Sequence, residues 1–189
     1  MLLAFHKPHD VLSQFTPDHP GQRTLAEFGF PENVWPIGRL DRDSEGLLLL
    51  SDEKPLVDRL LNPRSKQPKT YLAQVEGLPS PAALEKLSNG SIVVQGHRCA
   101  PARAELLDPQ PDVPPRDPPI RVRREIPDRW ISLTLTEGKN RQVRRMTAAA
   151  GHPTLRLVRV AIGQLELGDL AAGSWRELTP TDRRHVGAA

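Results

Sequence analysis

Cysteine and tyrosine each occur once in this chain of 189 residues, as Cys99 and Tyr71. A single thiol excludes an internal disulfide and any zinc cage built from several cysteines. Aromatic residues make up only 4% of the chain, so the core must be largely aliphatic. No apolar run approaches the roughly 18 residues that a membrane helix requires. The opening "MLLAFHKPHD" is apolar too briefly for a secretory leader, and a soluble cytoplasmic protein is expected. Neither a P-loop nor a dinucleotide-binding glycine pattern is found, which argues against ATP and redox nucleotides.

Charge is uneven rather than large. The formal net charge of +3 points only weakly to a polyanionic partner. Residues 139–159, "KNRQVRRMTAAAGHPTLRLVR", carry six basic side chains and no acidic one, whereas elsewhere the signs mix. A solvated surface would accept such a run, but this polarisation favours a face for nucleic acid.

Twenty prolines break the chain into short elements. "LLAFHKP" reads as a strand, and "VWPIGRLD" and "GLLLLS" as strands flanking an acidic turn. "EKPLVDRLLN" is a helix candidate and "KTYLAQVEG" a strand. "SPAALEKLSNG" has the marks of a helix: Ser80 at the N-cap, Pro81 in the first turn and Gly90 past the end. "SIVVQ" and "RAELL" are expected to continue the sheet. In "WISLTLTEG", Ile131, Leu133 and Leu135 alternate with polar residues, the pattern of a half-buried strand. "NRQVRRMTAAAG" predicts a short helix capped by Asn140 and stopped by Gly151, and "PTLRLVRVAIG" a strand.

Seven prolines in residues 109–127 forbid a helix or inner strand there. What remains is a long extended loop with a basic tip at Arg121, Arg123 and Arg124. The whole reads as one α+β domain, a mainly antiparallel sheet with flanking helices, over residues 1–180, followed by a tail at 181–189.

Residues 38–53, "GRLDRDSEGLLLLSDE", set acids and arginines directly before four leucines. Ionised groups beside an apolar run need partners. Asp41, Asp43, Glu45 and Gly46 occupy positions one, three, five and six of a calcium loop, with Asp52 at twelve. However, Pro36 and Gly38 deny it a leading helix, and position twelve calls for the longer Glu. Asp41 and Asp43 could instead share Mg²⁺, but Arg39 and Arg42 are poor neighbours for a dication. The third reading is a single catalytic carboxylate on a strand-to-strand turn.

This stretch resembles the signature of the RsuA-type pseudouridine synthase family, G-R-L-D-x-x-[ST]-x-G-L-L. It stands here as Gly38, Arg39, Leu40, Asp41, Ser44, Gly46, Leu47 and Leu48. "KTYLAQVEG" is similar to the family's K-x-Y strand and "EGKNRQVRRM" to its E-G-x-x-R-Q-V-R-R-M segment. "PPIRVRREIPDRW" and "GSWREL" resemble the branch that isomerises uridine in large-subunit ribosomal RNA. The resemblance covers most of residues 5–178, and three motifs in order make it specific. It implies the pseudouridine synthase catalytic fold. Many members begin with a small S4-type RNA-binding domain. This chain opens almost at once on the catalytic strand, so that domain is expected to be absent.

The activity so implied breaks the N1–C1′ bond of a uridine, turns the base and rejoins it through C5. No atoms are lost and no oxidation occurs, so neither cofactor nor metal is expected. The implied partner is large-subunit ribosomal RNA, free or in a pre-ribosomal particle, with the protein a monomer away from any membrane. Resemblance assigns Asp41 as nucleophile at C1′ or as base at C2′, two routes that sequence does not separate. Tyr71 is assigned to stacking on the target base. Proton abstraction is a lesser role for it, since a free phenol titrates near pH 10.

Arg144 is assigned as the ion-pair partner of Asp41; a guanidinium within ~4–6 Å favours the ionised carboxylate. Physics adds a hint. Lys139, Arg141, Arg144 and Arg145 crowd a helix N-terminus, where the macrodipole is already positive and cations call for an anion nearby. Leu157 is implied as an apolar pocket wall, with core packing the competing role, and Arg39 belongs to the same pocket. Lys7, Arg42, Lys139, Arg141, Arg145 and the loop arginines 121, 123 and 124 are expected on RNA phosphates. His97 and Cys99 lack further ligands and read as incidental. Two rivals stand beside this reading: a non-catalytic RNA-binding protein of the same fold, and a Mg²⁺-dependent phosphoryl-transfer enzyme.

Overall fold

The computed structural model describes residues 1–62, 67–120 and 126–188. They form two compact units, Met1–Gln67 with Val158–Ala189, and Pro68–Leu157. The first contains strands β1 (Leu2–Lys7), β2 (Val11–Leu12), β3 (Arg23–Thr24), β4 (Trp35–Ile37) and β5 (Glu45–Ser51), then helix α1 (Lys54–Leu61). The second contains β6 (Lys69–Glu76), α2 (Pro81–Ser88), β7 (Val93–Val94), β8 (His97–Arg98), β9 (Arg103–Leu106), β10 (Asp128–Leu135) and α3 (Gln142–Ala149). Strand β11 (Thr154–Ile162) starts in the second unit and ends in the first. There β12 (Leu165–Glu166), β13 (Trp175–Glu177) and α4 (Pro180–His185) complete the chain.

In the first unit β1 runs antiparallel between β13 and β5. β4 pairs antiparallel with the end of β5, and β11 lies parallel to its start. β5 is therefore enclosed and buried along its whole length. That explains the four leucines. Leu47 and Leu49 join Leu2, Ala4, Ile37 and Leu178 in one aliphatic core. Leu48 and Leu50 stand opposite Phe5 and Leu3 across the strand pair. Each buried leucine contributes roughly 1.5–3 kcal/mol. The scarce aromatics concentrate here too: Phe5 lies 4.9 Å from Phe28 and 5.0 Å from Phe30, centroid to centroid.

Gly46, within the acidic motif, has a steric reason to be glycine. It sits opposite Arg159 of β11 at φ +103°, and an added Cβ would lie 2.2 Å from the Arg159 carbonyl oxygen.

In the second unit β10 lies antiparallel between β6 and β9. Ile131, Leu133 and Leu135 are buried, as their alternation predicts, and pack with Ala73, Val75, Leu87, Val143 and Met146. Helix α2 begins as expected, with the Ser80 hydroxyl accepting the Ala83 N–H at 3.2 Å and Pro81 in the first turn.

The structure departs from sequence expectation in three elements. β7 and β8 form their own two-stranded hairpin instead of extending the sheet, because Gln95 and Gly96 both turn at positive φ after two residues. Asn140 is not the cap of α3. That position belongs to Arg141, in the left-handed conformation with no capping side chain, while Asn140 Oδ1 accepts from Arg145 at 2.9 Å. Within the tail expected at 181–189, residues 181–188 are structured. Thr179 and Asp182 form a capping box that starts α4, and Val186 and Ala188 are buried in the first unit's core. Among the described residues, no helix is long and apolar enough to cross a membrane.

Candidate active site

Asp41 sits half-buried on the turn between β4 and β5. Each side of that turn is tied down. The Ser44 N–H donates to the Asp41 carbonyl at 3.0 Å. The Ser13 hydroxyl donates to the Leu40 carbonyl at 2.8 Å and accepts the Leu40 N–H at 3.0 Å. The Asp10 N–H reaches the Arg42 carbonyl at 2.8 Å, while the Arg42 guanidinium pairs with the Asp10 carboxylate at 2.6 Å. Arg39 is exposed and donates to the Gln14 amide oxygen at 2.9 Å. These bonds fix the backbone from which the Asp41 carboxylate extends.

Lys7 stands beneath this turn, and its expected contact with RNA is corrected by its burial: the residue is 0% exposed. Its ammonium donates to the carbonyls of Val11 at 2.7 Å, Pro8 at 3.0 Å and Arg42 at 3.4 Å. Burial lowers its pKa to about 7, against the opposing pull of Glu45, Asp43, Asp41 and Asp10. The signal was present in the sequence. On a strand, Lys7 points to the same face as Leu3 and Phe5, which are core residues.

In the second unit, Tyr71 is half-buried on β6, opposite Leu133 of β10 and packed on the core that holds Ala73 and Val75. Arg144 lies in the first turn of α3, also half-buried, and donates to the Thr154 carbonyl at 3.2 Å. Lys139 and Arg141 are exposed just ahead of the helix. Arg145 reaches Gln95 and Asn140, two neutral side chains. Leu157, at 5% exposure, belongs to the core cluster of this unit. Arg121, Arg123 and Arg124 lie outside the described residues.

His97 proves to have a partner. Its Nε2 lies 3.0 Å from Glu137, whose carboxylate also accepts the Ala100 N–H at 2.8 Å and the Gln142 amide. Burial alone would raise the Glu137 pKa, but these hydrogen bonds hold it below the ordinary carboxylate value. Cys99 is buried beside this group, where desolvation first and the Glu137 charge second push its thiol up, the direction of an inert cysteine. No group of three or more His, Cys, Asp or Glu able to hold a metal ion occurs among the described residues.

Comparison with known proteins places these features in context. Residues 1–149 match the family described as RNA pseudouridylate synthase. The chain is 55% identical over 177 residues to a ribosomal large subunit pseudouridine synthase E of Xanthomonas campestris pv. campestris, covering 93% of this chain and 94% of that protein. A protein of the same name from Vibrio parahaemolyticus is 49% identical over 177 residues, covering 94% of this chain and 73% of its own length. A crystal structure of a pseudouridylate synthase superposes with a TM-score of 0.79 at 26% identity, covering 98% of this chain and 73% of that one.

Proposed function

Because the chain belongs to the RNA pseudouridylate synthase family, we propose that it isomerises a uridine of large-subunit (23S) ribosomal RNA to pseudouridine, with Asp41 as the catalytic carboxylate and without a cofactor. The observation that carries the reading is the braced, half-buried Asp41 on the β4–β5 turn, inside a motif whose glycine the backbone requires. The similarity to large-subunit synthases over nearly the full length of both chains supports the substrate class.

Asp41 either attacks C1′ of the target nucleotide or removes the C2′ proton. Both routes break the N1–C1′ bond, let the freed uracil turn, and close the C5–C1′ bond as Asp41 leaves C1′ or returns the C2′ proton; C5 gives up its proton and N1 takes one up. The resemblance assigns Arg144 to orienting that carboxylate. The Tyr71 ring is assigned to stacking on the uracil, and Arg39 to contact with the bound nucleotide. A uridine within folded RNA must first be extruded, at a cost of a few kcal/mol offset by stacking and phosphate contacts. Arg42, Lys139, Arg141, Arg145 and the 121–124 arginines supply those contacts, on a free rRNA or a pre-ribosomal particle.

Mapping carbodiimide-resistant uridine adducts across rRNA from cells lacking the protein tests this. One missing modification, restored by the wild type and not by Asp41→Asn, is the expected result. The purified variant should still bind RNA within a few-fold of wild type. Turnover by Asp41→Asn near the wild-type rate would remove Asp41 from its role.

A further inference from the structure

Helix α3 starts without a capping side chain, from Arg141 at φ 50° and ψ 33°. A non-glycine residue in that conformation costs about 1 kcal/mol or more and persists only where its surroundings impose it. Two side chains contribute to the restraint. Gln142 is 4% exposed. Its amide oxygen accepts the Lys139 N–H at 2.9 Å, and its own backbone N–H donates to the Lys139 carbonyl at 3.1 Å. Its amide nitrogen donates to Glu137. Glu137 in turn is fastened to the β7–β8 side of the unit, through the Ala100 N–H at 2.8 Å and His97 at 3.0 Å.

The result is a closed clamp across residues 137–142, anchored at one end and leading straight into the turn that carries Arg144. Glu137 has its oxygens committed to protein donors and its side chain is only 19% exposed. It is thus poorly placed to touch a substrate and well placed to hold a backbone.

We propose that Glu137 is a positioning residue for Arg144: acting through Gln142, its carboxylate fixes the left-handed entry into α3 and so sets where the guanidinium points. This rests on the role of Arg144 given above. Displacing a catalytic group by about 1 Å can lower a rate on the order of 100-fold without abolishing binding. Loosening the clamp should therefore act on turnover and spare affinity.

The test is a double-mutant cycle on an RNA fragment containing the target uridine. Glu137→Gln, which exchanges one oxygen for an amide, is expected to lower kcat about tenfold with KM within about threefold of wild type. Gln142→Met, which removes the other arm of the clamp at similar volume, should do the same. It replaces Glu137→Gln should that variant fail to show a folded melting transition. In an Arg144→Ala background either change should lower kcat no further, within about twofold, because the group it positions is gone. Multiplicative losses in that background, or an unchanged kcat for both clamp variants, would overturn the proposal. Wild-type turnover by Arg144→Ala alone is a different outcome; it would overturn the assigned role of Arg144 itself.

Discussion

Lys7 offers a stability test whose size follows from its surroundings. The side chain is wholly buried and its pKa drops from 10.5 to about 7, with burial as the leading cause. The unfolded chain then binds a proton that the folded chain has released at any pH between those two values. Stability must therefore rise with pH in that window, by about 1.4 kcal/mol per unit. Below about pH 6 both states hold the proton and the slope vanishes. Replacing Lys7 with Met keeps most of the volume and removes the titration. Between pH 7.5 and 9 the wild type should gain about 2 kcal/mol relative to Lys7→Met.

Urea unfolding followed by tryptophan fluorescence, repeated across that range for both proteins, measures the difference directly. The variant also leaves the Val11, Pro8 and Arg42 carbonyls without their donor, a constant loss of about 1–3 kcal/mol that shifts the curve and does not tilt it. Parallel curves, or a wild type that weakens relative to the variant as pH rises, would refute the burial argument.

Gly46→Ala should cost about 3 kcal/mol or more, seen as a lower midpoint of thermal unfolding, because the new methyl meets the Arg159 backbone in a left-handed conformation. Glu53, hydrogen-bonded to Arg183 and to the N-terminal ammonium, has its pKa lowered to about 2. Its contribution is present above the usual 4.5 and disappears as pH falls through about 2. With 38% of the side chain exposed, screening keeps it to about 1 kcal/mol or less, so Glu53→Gln should be mildly destabilising at pH 7 and neutral near pH 2 in urea titrations. Replacing Arg121, Arg123 and Arg124 together should weaken RNA binding and flatten its salt dependence by roughly 0.7–0.9 log units per lost phosphate contact. An unchanged slope would separate these arginines from RNA.

Strand β10, helix α2 and the β4–β5 turn were legible because each carries its own local signal: strict alternation, a Ser-Pro start, a motif with glycine where two backbones cross. What was illegible depends on partners distant in the chain. Lys7 is a mixed case: its strand face is legible beside Leu3 and Phe5, but the convergence of the carbonyls of residues 8, 11 and 42 on its ammonium is set by the fold. His97 looked incidental because Glu137 lies forty positions away. The cap of α3 was misplaced because Asn140 has the right chemistry, while the neighbouring turn is set by Glu137 and Gln142 instead. The capping box at Thr179 is readable in "TPTD".

The division of the chain also fixes an order of assembly. The first unit draws on both ends of the sequence, whereas every residue of the second lies between them. As the polypeptide emerges from the ribosome, the second unit is complete while strand β5, bearing the acidic motif, still awaits β11 and the Arg159 side chain that grips the Leu47 carbonyl at 2.7 Å. Once residues up to 157 have cleared the ribosome, the second unit has its full sequence while the first is still open. The strand that follows the assigned carboxylate gains its full support only once β11 has been made.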